Sequence, residues 1–178
     1  FTGATQSRAG RIERAHGGTR FHDEIATHSL VAQGKLLRAL QEGEVERVGG
    51  TRTVRVDVRL VAATNVDLRQ AVREGTFRED LYYRLNVFPI HLPPLRDRRD
   101  DIPLLMLHFR EHYLRYHRRQ GPGFSQAAVK AMFNYPFPGN IRELQNLIER
   151  SVILVNEGEP IAPHHLFSSG EQPGTGVM

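Results

Sequence analysis

Two adjacent acids and one amide, early in the chain, are the side chains best suited to chemistry. Asp23 and Glu24 follow one strand-like segment, and Asn65 follows another. Because ligands of open α/β sheets bind outside the carboxyl ends of the strands, these groups could meet at one edge. One acid could hold Mg²⁺, directly or through water, while the other polarises an attacking water molecule. An adjacent acid pair alone is more often solvated surface, so the hypothesis depends on Asn65 lying beside it.

Two arginines could bring positive charge to the same phosphate. Arg78 and Arg84 are six residues apart, and six residues of α-helix turn through roughly 240°, so two helical positions at this spacing do not share a face. The two side chains converge only if Arg78 lies just before the helix that begins at Glu79. The alternative is that each arginine forms a local ion pair, and the spacing alone favours this alternative.

A possible zinc motif is interpreted as a chance match. His108, Glu111 and His112 fit the H-x-x-E-H pattern, which places two histidines on one face of a helix. The surrounding helix is rich in arginine, and the sequence offers no evident third ligand. The chain has no cysteine, which excludes a disulfide framework, a thiolate metal site and a cysteine nucleophile.

Composition and charge exclude several other classes. The chain has 24 basic and 20 acidic residues and a net charge of +4, and the two signs are interleaved, which favours a mixed solvated surface over a dedicated nucleic-acid face. No apolar run approaches the roughly 18 residues that a membrane span needs. Only Lys35 and Lys130 are lysines, and neither follows a glycine-rich loop, so the chain lacks a P-loop lysine.

Residues 1–95 are predicted to form the α/β part of the chain, with elements that alternate in type. The predicted strands are 19–23, 58–64 and 87–92, with a hairpin of 44–48 and 53–56 around Gly49-Gly50; the predicted helices are 29–43, 67–74 and 79–85. The unbroken apolar run at 60–63 is typical of a strand covered on both faces. The alternation predicts a three-layer fold on a mainly parallel sheet.

Residues 96–167 are predicted to be helical only, and residues 168–178, rich in glycine, proline and serine, to be a disordered linker. A long helix begins at Asp101 and ends near Arg119, and Ser125 caps the next. Asn140 and Glu143 resemble a capping box. The helix that they open turns a set of apolar residues inward: Ile141, Leu144, Leu147, Ile148 and Val152.

Taken in order, these segments resemble the AAA+ central domain of sigma-54-dependent transcriptional activators, the bacterial enhancer-binding proteins. The start of the chain matches the end of the GAFTGA loop, with residues Phe1, Thr2, Gly3 and Ala4. The Walker B region of the family matches Ala15, His16, Gly17, Gly18, Thr19, Arg20, Phe21, His22, Asp23 and Glu24. Segments 61–65, 77–85 and 137–144 are similar to sensor I, the arginine-finger segment and sensor II of the helical lid.

The resemblance implies a role for each matching residue in binding and hydrolysing ATP. Asp23 would coordinate Mg²⁺, Glu24 would activate water, and Asn65 would sense the γ-phosphate. Arg142 would contact nucleotide from the lid of the same subunit. The arginine pair at 78 and 84 would reach the nucleotide of a neighbouring subunit, which requires a ring, a homo-hexamer in this family.

The resemblance also implies partners and missing parts. The loop ending in residues 1–4 would contact the sigma-54 RNA polymerase holoenzyme, and hydrolysis would remodel its closed complex into the open one. The P-loop and a signal-responsive or two-component half would precede Phe1, and an enhancer-DNA-binding domain would follow Met178. The protein would be cytoplasmic and would not contact a membrane. We expect the isolated chain to bind nucleotide poorly and to hydrolyse it negligibly.

One departure from the family pattern bears on activity. The strand before Asp23 is apolar in the family, whereas this chain has Arg20 and His22, which project to the same face. Because burial of an unpaired arginine costs several kcal/mol, this face needs acidic or phosphate partners, the strand is distorted, or the sequence is damaged. The alternative function is therefore a non-hydrolysing interaction module for sigma-54 or nucleotide. A DNA-binding fragment acting alone is a minor third possibility.

Overall fold

The computed structural model describes residues 9–47, 52–121 and 123–167. The chain divides into two compact units, residues 1–90 and 91–178. The first unit contains strands β1 (Gly18–His22), β2 (Glu44–Glu46), β3 (Thr53–Arg55) and β4 (Val58–Ala62), helices α1 (Leu30–Gln41), α2 (Leu68–Arg73) and α3 (Glu79–Leu85), and 3₁₀ turns at Glu13–Ala15 and Ile25–Thr27. The described residues of the second unit form helices α4 (Asp101–Tyr116), α5 (Gln126–Asn134), α6 (Asn140–Leu154) and α7 (Pro163–Leu166), a 3₁₀ turn at Leu95–Asp97 and an isolated β-bridge between Phe124 and Ile161.

Two small sheets organise the first unit. Strands β1 and β4 are parallel, with Gly18 opposite Val58 and His22 opposite Ala62. The predicted hairpin is present, because β2 and β3 pair antiparallel. Gly43 precedes it with a φ of 66°, and a Cβ at this position would lie 3.1 Å from the carbonyl oxygen of Val56. Only glycine combines the left-handed backbone with this close approach.

Two expectations for the sheet were wrong. Residues 87–92 do not form a strand, because no described strand pairs with them; Val87 and Phe88 are 79% and 82% exposed. The parallel strands are also not covered on both faces, since Phe21 is 55% and Val61 41% exposed. A run of apolar residues favours a strand only where a neighbouring strand supplies hydrogen bonds, and within the described residues these neighbours are absent.

Local capping chemistry places the helices of the first unit. The Ser29 hydroxyl accepts from the N–H of Ala32 at the start of α1, and the Asp67 carboxylate accepts from two N–H groups at the start of α2. Helix α1 contributes Leu36 and Leu37 to the core of this unit. The core is completed by Ile25, Ala71, Phe77, Leu81 and Tyr82.

The second unit packs around α6. Leu144, Leu147, Ile148 and Val152 are buried as predicted, and Ile141 packs against them. The cap of this helix differs from the prediction: Gly139 is the N-cap, and its N–H donates to Glu143 at 2.7 Å. The Asn140 side chain instead accepts from the N–H of Leu95 at 2.9 Å.

The carboxyl end of α6 is closed by one arginine. The guanidinium of Arg119 donates to the carbonyl oxygens of Val152, Ile153 and Val155. These carbonyls belong to the last turn and to the residue after it, where a helix has no internal donors. Across the described residues, no helix is both long enough and apolar enough to span a bilayer.

Candidate functional site

The two parallel strands bring the predicted acids and amide to one edge. The N–H of Ala63 donates to the carbonyl of His22 at 2.8 Å, and the N–H of Ile25 donates to the carbonyl of Ala63 at 3.0 Å. These bonds continue the pairing beyond the strands. Asp23 and Asn65 therefore leave neighbouring strands at their carboxyl ends, as the sequence predicted.

Glu24 has an unusual backbone conformation. Its φ of 50° and ψ of 49° lie in the left-handed region, which costs a non-glycine residue on the order of 1–3 kcal/mol. The N–H and hydroxyl of Thr27 both donate to its carbonyl oxygen at 2.9 Å and hold this turn. No described residue donates to the Glu24 carboxylate. The side chain is thus presented at the strand end without a competing partner.

The donor set at this edge suits Mg²⁺ bound with a phosphate ligand. One oxygen of Asp23 accepts from the N–H of Glu24 at 3.1 Å, and its other oxygen has no described donor. No group of three or more histidine or carboxylate side chains that could hold a metal occurs in the described segments. Since Mg²⁺ is usually bound through one or two carboxylates, waters and substrate phosphates, one free carboxylate oxygen fits that pattern.

Arg78 lies just before α3, which is the condition for convergence with Arg84. Its backbone is extended, at φ −75° and ψ 131°. Its guanidinium nevertheless pairs with Asp80, with Nε–Oδ1 and Nη2–Oδ2 distances of 3.0 and 2.7 Å. The hydrogen bond to this arginine lowers the pKa of the Asp80 carboxyl. The local ion pair that spacing favoured is therefore formed by Arg78.

The two arginines contact α1 at separate places. A Cβ at Gly34 would lie 3.9 Å from Nη1 of Arg78, and Nη2 of Arg84 donates to the carbonyl of Leu40 at 2.8 Å. These helix positions are six residues, about 9 Å, apart along the axis. In this conformation the two guanidinium groups do not meet on one phosphate.

Gln33 is a site residue that the sequence reasoning missed. It is fully buried in α1, and its amide nitrogen donates to the carbonyls of His28 at 2.8 Å and Thr76 at 3.0 Å. Its oxygen accepts from the N–H of Arg78 at 2.8 Å. The signal was a polar residue on the helical face of Leu36 and Leu37, because such a residue must find buried partners.

The first residues of the Walker B-like segment lie at the opposite end of β1 from the acids. Ala15, His16 and Gly17 precede the strand, whose five residues span about 13 Å. The ring of His16 accepts from the N–H of Asp57 at 3.0 Å, and the N–H of Gly17 donates to the carbonyl of Asp57 at 2.7 Å. These residues therefore fix the start of β1 against the start of β4, with Gly18 and the exposed Thr19 following them in the strand.

Arg20 and His22 do not distort β1, which keeps its regular parallel register. Nε of Arg20 and Nε2 of His22 are buried without a hydrogen-bond partner. Nδ1 of His22 lies 3.3 Å from Nε2 of His28. Burial first, and then the charges of Arg20, His28 and Arg11, lower the pKa of the His22 ring. Distortion is excluded, and no described acid pairs with Arg20.

The remaining predicted residues lie in the second unit or outside the description. Arg142 is exposed near the start of α6 and lines a cleft of about 680 Å³ together with Gly139, Asn146 and Arg150. In α4 the ring of His112 stacks on that of Tyr116. The predicted sigma-54 contact at Phe1, Thr2, Gly3 and Ala4, the turn at Gly49-Gly50 and the linker at 168–178 lie outside the described residues.

Comparison with known proteins gives a consistent family. A family model described as the Sigma-54 interaction domain matches residues 1–91, and one described as the AAA+ ATPase lid domain matches residues 96–175. The phenol regulator MopR of Acinetobacter guillouiae is 57% identical over 167 residues, which cover 94% of this chain and 30% of that protein. The Nif-specific regulatory protein of Herbaspirillum seropedicae is 53% identical over 165 residues, 93% of this chain and 30% of that protein.

A solved structure has the same fold. The crystal structure of NtrX from Brucella abortus in complex with ATP matches with a TM-score of 0.85 at 37% identity, over 90% of this chain and 37% of that chain. The chain thus spans about a third of the length of the proteins that it matches.

Proposed function

The chain belongs to the sigma-54 interaction domain family and continues into an AAA+ lid domain, and from this premise we propose that its parent protein hydrolyses ATP to remodel the sigma-54 RNA polymerase closed complex into the open complex. In this proposal residues 1–95 are the carboxyl-terminal part of the AAA+ core, 96–167 the lid and 168–178 a linker toward a domain that binds enhancer DNA. The parent acts in the cytoplasm as a signal-responsive activator.

The observation that carries the proposal is the shared edge of β1 and β4. Asp23 and Glu24 leave one strand and Asn65 the other, joined by the bonds between His22, Ala63 and Ile25. Two carboxylates and an amide in this arrangement can divide the work of hydrolysis. Glu24, whose carboxylate has no described donor, takes the proton of the attacking water, and Asn65 orients that water or senses the γ-phosphate.

ATP and Mg²⁺ are the cofactors of this proposal. When bound, Mg²⁺ supplies positive charge that neutralises the phosphate oxygens. Asp23 would hold it through the carboxylate oxygen that the N–H of Glu24 leaves free. Arg142 would contact the nucleotide from the lid; it is exposed, and no described residue accepts a hydrogen bond from it.

Arg78 and Arg84 act in trans in a homo-hexameric ring in this proposal. Both guanidinium groups are bound within their own subunit, one to Asp80 and the other to the carbonyl of Leu40. To reach a neighbour's nucleotide, each would exchange these partners for phosphate oxygens. Because the Asp80 pair is partly exposed, this exchange replaces an interaction of low net energy.

The polymerase contact is assigned to the aromatic tip of the first loop. Phe1 and Thr2, with Gly3 and Ala4, would touch sigma-54, since an aromatic ring offers a large apolar surface at a small entropic cost. Substitution of Phe1 or Thr2 in the parent should leave hydrolysis intact and abolish promoter opening. Transcription at the unsubstituted level would remove their assigned role.

The test of hydrolysis is Glu24→Gln in a longer protein that includes a P-loop. We expect turnover to be lost while ATP binding is retained, because the amide keeps the shape of the side chain but cannot accept a proton. Glu157→Gln, in an exposed turn of the second unit, is the matched control and should hydrolyse normally. Equal turnover in both variants would refute the role of Glu24.

The second candidate function is a non-hydrolysing module that binds sigma-54 or nucleotide. The unpartnered nitrogens of Arg20 and His22, beside the acids, are the observation in its favour. An unsubstituted longer protein that binds sigma-54 polymerase but shows no turnover would establish this alternative. Measurable turnover by the isolated 178-residue chain would contradict our expectation that it is inactive alone.

A further inference from the structure

A cleft of about 590 Å³ opens on one face of the first unit. It is bordered by residues 10–13, β1, the middle of α1 and the β2–β3 hairpin. Its volume lies within the range of about 300–1,000 Å³ that is usual for small-molecule sites. The side chains that distinguish it are basic: Arg11, Arg20, His22, His28 and Lys35 all line it.

The acids that line this cleft are mostly neutralised by other arginines. The Glu13 carboxylate accepts from Nε of Arg47 at 3.0 Å, and Glu46 accepts from Nη1 of Arg38 at 3.0 Å. Glu44 lies 3.8 Å from an arginine of β3. These pairs leave little negative charge for the basic side chains of the cleft.

Three cations of the cleft have no acidic partner. Arg11, Arg20 and Lys35 form no ion pair within the part of the chain that the structure describes. Asp23 lies at the rim and accepts only from the N–H of Glu24. The five arginine and lysine side chains that line the cleft outnumber its four carboxylates by one, and the three unpaired cations are the groups that would attract an anion.

Two of the basic side chains each have one buried nitrogen without a hydrogen-bond partner. Nε of Arg20 and Nε2 of His22 are buried and unpartnered. A buried N–H without an acceptor destabilises a fold, and an acceptor supplied by a ligand removes that cost. Since β1 keeps its regular register, the strand has not moved to relieve it.

We propose that this cleft is a binding site for a small multivalent anion of phosphate or pyrophosphate chemistry. Arg20, the least exposed of the three unpaired cations, binds the anion, because its planar fork of N–H groups matches two oxygens of a phosphate. The exposed side chains of Arg11 and Lys35 add positive charge. Asp23 borders both sites, but Glu24 and Asn65 do not line the cleft, so the inference does not depend on ATP hydrolysis.

The test is a titration of the chain with inorganic pyrophosphate in EDTA, followed by calorimetry and by amide NMR shifts. We expect saturable binding with shifts in β1 and α1, at least tenfold weaker binding by Arg20→Leu, and several-fold weaker binding by Lys35→Gln. Arg73→Leu, on the exposed end of α2, is the matched control and should bind like the unsubstituted chain. Thermal melting of each variant verifies that it is folded.

A second arm separates free phosphates from nucleotides. ATP in EDTA should compete with pyrophosphate and should lose affinity in the same Arg20→Leu variant, since the phosphates are the recognised group. ATP binding without pyrophosphate binding would overturn the proposal, because recognition would then lie in the base or the sugar. Absence of saturable pyrophosphate binding, or equal affinity in Arg20→Leu, would overturn it as well.

Discussion

Gln33 and Arg78 are joined by a hydrogen bond of 2.8 Å from the N–H of the arginine to the side-chain oxygen of the glutamine. The amide nitrogen of the same glutamine holds the carbonyls of His28 and Thr76. One buried side chain therefore connects the segment after the acids to the segment that carries the arginine. Both segments are thus fixed to the same position of α1.

Gln33→Leu should destabilise the first unit by about 3 kcal/mol, because it leaves two carbonyls and one N–H buried without partners. Urea unfolding followed by circular dichroism measures the loss. Gln70→Leu, at an exposed position of α2, removes a single surface hydrogen bond to Glu74 and should change stability by less than about 0.5 kcal/mol. Equal effects of the two substitutions would contradict the bridging role of Gln33.

Glu24→Gly should be more stable than Glu24→Gln by about 1 kcal/mol. Both variants lack the carboxylate, but only glycine adopts the left-handed backbone of this position without a steric cost. The greater freedom of glycine in the unfolded chain offsets part of the gain. Paired urea titrations measure the difference. A glycine variant less stable than the glutamine variant would show that the left-handed turn carries no strain.

Arg20→Leu should raise the stability of the unliganded chain by about 1–3 kcal/mol, since it removes a buried nitrogen without a partner. The matched control is Arg59→Leu on β4, opposite Thr19 in the register. Arg59 is exposed, so its substitution should have little effect. Thermal unfolding of both variants in phosphate-free buffer makes the comparison. A loss of stability in Arg20→Leu would mean that the guanidinium is already satisfied.

Arg119→Ala should destabilise the second unit by about 2 kcal/mol, because three carbonyls at the end of α6 lose a charged donor. Arg115→Ala, which removes one exposed bond to the carbonyl of Glu111, is the control. Hydrogen exchange at the last turn of α6 gives a local readout and should accelerate only in the first variant. Unchanged exchange there would argue against the cap.

Acidification should destabilise the second unit through His165. Burial first, and then the charge of His164, lower the pKa of the His165 ring below the ordinary value of about 6.5 for histidine, and its Nδ1 accepts from the N–H of Ala162 at 3.0 Å. The His165 ring therefore binds a proton more readily in the unfolded chain than in the folded chain. The contribution to stability is therefore fully present above about pH 6.5 and is lost as the pH falls through the folded pKa.

Thermal unfolding of His165→Gln between pH 7.5 and 5 tests this assignment. The variant should depend less on pH than the unsubstituted chain, because glutamine keeps an acceptor but does not titrate. A residual dependence from His22, whose pKa burial also lowers, should remain. His164→Gln, at an exposed neighbouring position, should keep most of the pH dependence. An effect as large as that of His165→Gln would show that protonation of His165 is not the main cause of the pH dependence.

The sequence predicted best those elements whose ends depend on neighbouring residues. Ser29, Asp67 and Ser125 cap the helices that they were predicted to cap, because a cap joins groups two or three residues apart. The strand at 87–92 failed because a strand needs a distant partner. The Asn140 cap failed for a related reason, since its side chain bonds the N–H of Leu95, 45 residues away.

The site was predictable in part. The edge that joins Asp23 and Asn65 follows from parallel pairing, which the alternation of elements indicated. The Asp80 partner of Arg78 is local and was within reach of sequence reasoning, whereas the Leu40 partner of Arg84 depends on where α1 lies, which no short motif encodes. Gln33 was missed because two of its three partners, Thr76 and Arg78, lie more than 40 residues away in the sequence.

The ion pairs of Arg38 tie the β2–β3 hairpin to α1. Its guanidinium holds Glu42 and Glu46 at 3.1 and 3.0 Å, while Leu40 and Gln33, of the same helix, hold the segments of Arg84 and Arg78. Helix α1 thus contacts the β2–β3 hairpin and both arginine segments. Strand β2 and the two arginine segments are therefore all held by contacts to the same helix.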